Sequence, residues 1–452
     1  MMRTLSLAAL AQPLGASLHG SDVSFAAVST DSRRLEAGDL FVALRGERFD
    51  GHRFLADVAA RGACGALVDQ PAELDLPQLQ VADTEQALGQ LGALNREQFS
   101  GPLLGITGSS GKTSVKNMLA AILTECGPTL ATEGNLNNEI GVPLTLLRLA
   151  PEHRYAVIEM GAGKPGDIAY LAQLARPEIS LLLNVMPAHL ERMGSLQGIA
   201  ETKGAILADA RVAIFPADSR FTPYWREVAA RAHCLEFGFD DAAPVHVSEL
   251  ELDEHGARFT LHVEDTVFPV ELRLPGRHNV ANAMAAGAAA IAAEAPVEKV
   301  QAGLARVEAT GGRLSLRSGR DGVSVIDDSY NANPGSVQAA IDVLATMPGR
   351  QVLALGTMAE LGDAADELHA EVGAYARAAG IDALWTAGVH TGRAAEAFGA
   401  GAEHFESRDA LLAVLPELVA SGDVILVKGS RSAGMEQVVA ALLPESANGE
   451  GQ

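Results

Sequence analysis

Only three cysteines, Cys64, Cys126 and Cys234, occur in 452 residues, widely spaced and with no CxxC pair. So sparse and odd a set excludes a disulfide framework and a thiolate metal site, and fits a reducing cytoplasm. Basic residues are scarce as well: 34 Lys and Arg against 57 Asp and Glu leave a formal charge of −23. A field of that sign repels polyanions, so nucleic acid is not an expected partner and any anionic ligand must be held by local donors. Long apolar runs are absent. The Ala-rich run at 281–295 is short of the ~20 residues a membrane span needs, and reads as a tightly packed helix. Met1-Met2-Arg3 and the apolar stretch 4–11 imitate a signal peptide, but with one Arg and a minimal apolar core. Leu5, Leu7, Ala8 and Leu10 are read instead as the buried face of a first helix. No internal repeat is present.

What remains is a long globular chain. Hydrophobic residues make up 48% and charged residues 20%, a balance that supports folded domains over disorder. At ~150 residues per domain the length predicts about three. Residues 1–82 alternate short apolar runs with turns around a helical stretch at 54–61, which predicts a small α/β domain. A helix at 84–98 leads into an apolar strand at 102–107. From there strands at 155–160, 179–185 and 212–215 alternate with helices at 114–126 and 167–175, the pattern of a parallel sheet covered on both faces. The alternation Phe259, Leu261, Val263 and Val267, Phe268, Val270 within 249–274 predicts inserted antiparallel strands. A break at 309–312 precedes a second α/β alternation to 427, expected to be a doubly wound, Rossmann-like domain. The expected fold is thus α/β in three domains, 1–82, 83–310 and 311–452, with a frayed polar end at 445–452.

The chemistry is most legible in Gly105-Ile106-Thr107-Gly108-Ser109-Ser110-Gly111-Lys112-Thr113, which follows a strand and opens a helix. Glycines let successive N–H groups converge on phosphate oxygens, and the helix N-terminus favours anions. Gly108, Ser109, Ser110, Gly111, Lys112, Thr113 and Ser114 are therefore the expected ATP-binding loop, with Lys112 on the β- and γ-phosphates and the Thr113 hydroxyl on Mg²⁺. Ile106 stands where the common form of this loop has its first glycine. Glu159 ends one strand and His189 follows another, where open α/β sheets bind ligands. A lone His or Lys in a polar segment is ordinarily solvated. Following a phosphate loop, Glu159 and His189 become candidates to hold a hard cation.

With these residues in view, the chain resembles the Mur ligases along essentially its whole length. Matching runs include Thr30-Asp31-Ser32-Arg33, Asn135-Leu136-Asn137-Asn138, Gly276-Arg277-His278-Asn279, Asp327-Asp328-Ser329-Tyr330-Asn331-Ala332-Asn333 and Val427-Lys428-Gly429-Ser430-Arg431-Ser432. The resemblance implies an ATP-dependent peptide ligase. The member implied joins D-alanyl-D-alanine to a UDP-N-acetylmuramoyl-tripeptide through an acyl phosphate, in peptidoglycan precursor synthesis. It implies ATP and Mg²⁺ as cofactors, a cytoplasmic location and action as a monomer. It also carries roles over. Lys112, Thr113, Glu159 and His189 match phosphate and magnesium positions, and Lys203 a lysine carried as a carbamate beside the metal. Asn279 matches an adenine contact, Arg313 an arginine reaching the phosphates from the third domain, and Asp328 a nucleotide contact. Thr30, Asp31, Ser32 and Arg33 match the uridine-binding turn, and Asn137 and Asn138 the path of the peptide.

Two features qualify the match. Gly163-Lys164 stand where the family pattern has Asn-His, which removes any role of that His and leaves Lys164 facing solvent. No Asp-Asn-Pro-Arg run is present, which counts against the sister ligase that adds the third residue. A folylpolyglutamate synthetase should lack the leading domain. A non-ligase ATP-binding switch or carrier would need neither the metal candidates nor Arg313.

Overall fold

The structure is a computed structural model that describes residues 2–46 and 49–444; the frayed end expected at 445–452 lies outside them. Three α/β domains follow one another, each on its own sheet. The first sheet has five strands in the order Ser17–His19, Gln78–Gln80, Gly65–Val68, Leu40–Val42, Val28–Ser29, all parallel except the first pair. The expected first helix is shorter than its apolar pattern. Leu5 and Ser6 pair with Phe25 and Ser24 as a strand, and the helix Leu7–Ala11 buries Leu7 and Leu10 while Ala8 is exposed. Backbone pairing to Phe25 takes Leu5 out of the helical stripe.

The central sheet has nine strands. Leu103–Thr107, Tyr155–Glu159, Ile179–Leu182 and Val212–Pro216 are parallel and buried, and the three-residue Thr129–Ala131 is a parallel, part-buried edge strand. Leu103–Thr107 lies between Ile179–Leu182 and Tyr155–Glu159, so the chain order runs away from it in both directions, with Thr129–Ala131 at the edge beyond Tyr155–Glu159. That places the crevice at the C-terminal end of Leu103–Thr107, where the phosphate loop begins. The expected antiparallel insertion is real but starts earlier. Val245–Leu252 continues the sheet from His233–Phe237, and Ala257–Val263 and Thr266–Leu272 complete it. Phe259, Leu261, Val263, Phe268 and Val270 point into the core, whereas Val267 is exposed.

Helix Lys112–Thr124 packs beneath this sheet with Arg277–Ala292 and Val297–Arg306. The Ala-rich helix is buried along its length, as expected, with small side chains that let backbones approach closely. Gly303 sits so near the phosphate-loop helix that an added Cβ would lie 2.5 Å from Ile122 Cα.

The third sheet has six strands. Ser315–Ser318 is antiparallel to Ser324–Asp328, followed in parallel by Asp423–Lys428, Arg350–Gly356, Ala383–Ala387 and Ala402–Phe405. Helices cover both faces, over two cores built around Leu353 and Ile425. No helix of the described residues is long and apolar enough to cross a membrane.

Candidate active site

The strand Leu103–Thr107 is wholly buried, and the chain turns at 108–111 to open the helix at Lys112, two residues earlier than its apolar pattern indicates. Gly111 makes the early start possible. Its φ is +80°, and a Cβ there would lie 2.6 Å from Asn282 Oδ1. It caps the helix without a side chain, so the first-turn N–H groups have no side-chain cap and converge on the mouth of the loop. The opposite wall is braced by the segment following Ile179–Leu182. Asn184 accepts from the Ser110 N–H through Oδ1 at 3.0 Å, and its carbonyl accepts from the Ser109 N–H at 3.1 Å. The Ser109 hydroxyl donates to Met186 O at 3.1 Å. Ser109 and Ser110 thus hold the loop's shape with the same groups that were expected to meet phosphate.

Two ammonium groups converge on one carbonyl. Lys112 Nζ donates to Gly108 O at 2.8 Å and Lys203 Nζ to the same oxygen at 3.1 Å. Burial lowers the Lys112 pKa against the opposing pull of Glu159. Lys203, 2% exposed, is pushed well below the ordinary lysine value, first by burial and then by the Lys112 charge.

Glu159 ends its strand 3% exposed. One carboxylate oxygen accepts from the Thr113 hydroxyl at 2.8 Å and the other from Asn137 Nδ2 at 2.8 Å. Hydroxyl and carboxylate oxygens side by side at a phosphate loop suit a hard divalent ion that keeps phosphate and water in its shell. Among the described residues no group of three or more His, Cys, Asp or Glu side chains could hold a metal by itself. His189, at φ +56°, contacts Glu360 of the third domain through Nδ1.

The third domain brings Arg313, whose guanidinium lies 4.2 Å from the Tyr330 ring centroid. Asp328 is 8% exposed, accepts from Lys428 Nζ at 2.5 Å and from the Leu314 N–H at 3.2 Å. Burial raises the Asp328 pKa and Lys428 opposes the rise. Lys428 also donates to Asn331 O at 2.9 Å. Across the junction, His278 is lowered to about 4 by burial, with the Lys428 charge adding to the effect. Asn279 is 5% exposed and donates to Pro275 O at 2.8 Å.

One cavity of about 720 Å³ collects these groups. Every expected phosphate and metal residue lines it, as do Asn279, Arg313 and Asp328 and the peptide-path candidates Asn137 and Asn138. The 30–33 turn does not. There Arg33 grips Asp31 with two hydrogen bonds of 2.9 and 2.8 Å, chiefly responsible for an Asp31 pKa of about 2. Lys164 is exposed, as expected, while its N–H and that of Gly163 donate to Asp167. Sequence reasoning missed Asn184, His278, Tyr330 and Lys428 as site residues. The last three lie in runs quoted above without a role of their own, and Asn184 stands just past a strand end at the crevice.

Comparison with known proteins fits this geometry. Models of the Mur ligase catalytic domain, the Mur ligase middle domain and the Mur ligase glutamate ligase domain match residues 24–96, 106–290 and 312–431. The Escherichia coli K12 protein named UDP-N-acetylmuramoyl-tripeptide–D-alanyl-D-alanine ligase is 47% identical, over 98% of this chain and 99% of its own. The chain belongs to the Mur ligase family. Among solved structures, this Mur ligase matches crystal structure I of MurF from Acinetobacter baumannii with a TM-score of 0.93 at 37% identity, covering 98% and 99% of the two chains. It matches MurF ligase from Thermotoga maritima in complex with ADP with a TM-score of 0.83 at 29% identity, covering 92% and 96%. Those matches span all three domains of this Mur ligase, the leading one included.

Proposed function

We propose that this Mur ligase joins D-alanyl-D-alanine to UDP-N-acetylmuramoyl-tripeptide at the expense of ATP, in peptidoglycan precursor synthesis. The observation that carries the reading is the shared cavity: the phosphate loop, Glu159 and Arg313 of the third domain line one space with Asn137 and Asn138. Near-complete coverage of a relative with that named activity supports it.

A carboxylate is a poor electrophile toward an amine. Transfer of the γ-phosphoryl group to the tripeptide carboxylate gives an acyl phosphate, and amine attack then forms the amide and releases phosphate. Lys112 of the central domain and Arg313 of the third, which line the same cavity, offset negative charge on the transferring group. Thr113, Glu159 and His189, with Lys203 as a carbamate, would hold magnesium, which supplies charge neutralisation at the phosphates. Lys203 suits that modification because its depressed pKa makes the neutral, reactive amine accessible. Asn279 and Asp328 would contact the nucleotide. Thr30, Asp31, Ser32 and Arg33 would hold the uridine end, away from the chemistry. We divide the labour as 1–82 for the UDP substrate, 83–310 for ATP and 311–452, the Rossmann-like domain, for closure over both. The enzyme acts as a monomer in this reading, since one chain supplies every group named. Its place is the cytoplasm, where its three free cysteines stay reduced.

The test is phosphate release from ATP against a panel of UDP-muramoyl peptides and amino-acid or dipeptide donors. Turnover should require a UDP-muramoyl-tripeptide together with D-alanyl-D-alanine. Turnover with a dipeptide acceptor and a diamino acid would replace this reading with the third-residue ligase.

A further inference from the structure

Helix Lys112–Thr124 presents Thr113 and Lys116 on one face, three residues apart. Thr113 reaches the Glu159 carboxylate. Lys116 reaches past it: 7% exposed, it donates to Thr132 O at 2.9 Å. Thr132, 2% exposed, accepts the Glu159 N–H through its hydroxyl at 2.9 Å, and its own N–H donates to Val157 O at 3.0 Å. Two residues further on begins the 134–138 segment. Its Asn137 closes the circuit by donating to Glu159 and by accepting the Gly161 N–H at 2.7 Å. One polar ring therefore joins the phosphate-loop helix, the Glu159 strand and the root of the segment carrying Asn137 and Asn138.

Lys116 does not line the cavity and no step above uses it. An ammonium is an expensive way to occupy a buried position. Burial lowers its pKa, the Glu159 charge pulls the other way, and an apolar chain of that length would fill the space at less cost. What it supplies that methionine cannot is a hydrogen bond to the Thr132 carbonyl and a positive charge close to the Glu159 carboxylate.

We propose that Lys116 is a positioning residue that sets Glu159 and the 134–138 segment together, so that one side chain aligns the nucleotide side of the site with the acceptor side. The proposal rests on the reading of Glu159 as the acid that faces the metal.

The test uses the full chain with Lys116→Met, Lys116→Gln and Lys116→Arg. Manganese binding in the presence of a non-hydrolysable ATP analogue is followed by electron paramagnetic resonance, and KM for the UDP-tripeptide is separated from kcat. Lys116→Met should keep its circular-dichroism melt and its metal-free affinity for the analogue. It should bind manganese about tenfold more weakly or worse, with a raised acceptor KM. Lys116→Arg should recover most of both losses. If Lys116→Met does not fold, Lys116→Gln carries the same comparison. Wild-type manganese affinity and acceptor KM in a folded variant would overturn the proposal. Failure of the ligase reading would show differently, as a wild-type protein that releases no phosphate with any acceptor, and the manganese measurement would still report on Lys116.

Discussion

Lys112 and Arg33 both carry a positive charge assigned to a nucleotide, yet their surroundings differ at every level. Lys112 folds back onto Gly108 O in a cavity that Lys203 and Arg313 also line, and burial lowers its pKa. Arg33 stands 85% exposed at the end of a turn and is held in shape by Asp31, two residues before it. The first arrangement gathers charge from distant parts of the chain and keeps water low, so each interaction is strong and the loss of any partner is costly. The second is local, solvated and screened, so it can grip or release without disturbing the fold. On the proposed function, chemistry falls to the first setting and recognition to the second.

The sharpest way to break that contrast is Lys112→Ala. Phosphate release should fall by about a thousandfold or more while the UDP-substrate affinity, measured by calorimetry, stays within about twofold. Near-wild-type turnover would remove the phosphate loop from the reaction.

Arg313→Ala should come next, lowering turnover by about a hundredfold and leaving UDP-substrate binding nearly intact. Thr310-Gly311-Gly312 precede it, with Gly311 free of contacts around an added Cβ and Gly312 at φ +75°. Scattering should therefore show compaction when ATP analogue and UDP substrate are both bound. An unchanged radius of gyration would mean that the cavity is already closed.

Stability separates the two settings further. Lys428→Met leaves Asp328 buried without its partner and should cost about 3–5 kcal/mol in urea unfolding of the third domain, with little dependence on salt. A loss below about 1 kcal/mol would show Asp328 reaching water.

The smallest effect is expected for Arg33→Ala. It should leave stability nearly unchanged, as expected of a solvated ion pair, weaken the UDP substrate in a salt-dependent way and leave ATP binding unchanged. Equal weakening of both ligands would erase the distinction.

What could be read from the chain follows the range of the interactions. The phosphate loop, its strand and the helix after it were legible because glycine spacing and apolar pattern are local. The alternation through Phe259, Leu261 and Val263 was legible for the same reason, since one face of that strand is buried and the other is not. Thr129–Ala131 and Ser315–Ser318 escaped notice because they are short, only part-buried or exposed along most of their length, and become strands only through a neighbour. His233–Phe237 escaped because its apolar residues do not alternate and its first half is open to solvent. Glu159 could be named from its place at a strand end, and Arg313 from the family resemblance. Their partners could not: the Asn184 brace, the Lys203 contact to the Gly108 carbonyl and the Asp328–Lys428 pair join residues 74 to 100 apart, and no pattern within either segment announces the other.

The close seating of the phosphate-loop helix has a mechanical consequence. Helix Lys112–Thr124 rests on the Ala-rich helix and on Gly303, where a single added methyl would collide with its backbone at Ile122. Close-packed interiors yield little under load, so this helix has no room to recoil as charge builds at its N-terminus. The loop behaves as a fixed anvil. On the proposed reading displacement then falls to the third domain, and Gly303→Ala, which would press a methyl against Ile122, should shift the helix from its seat.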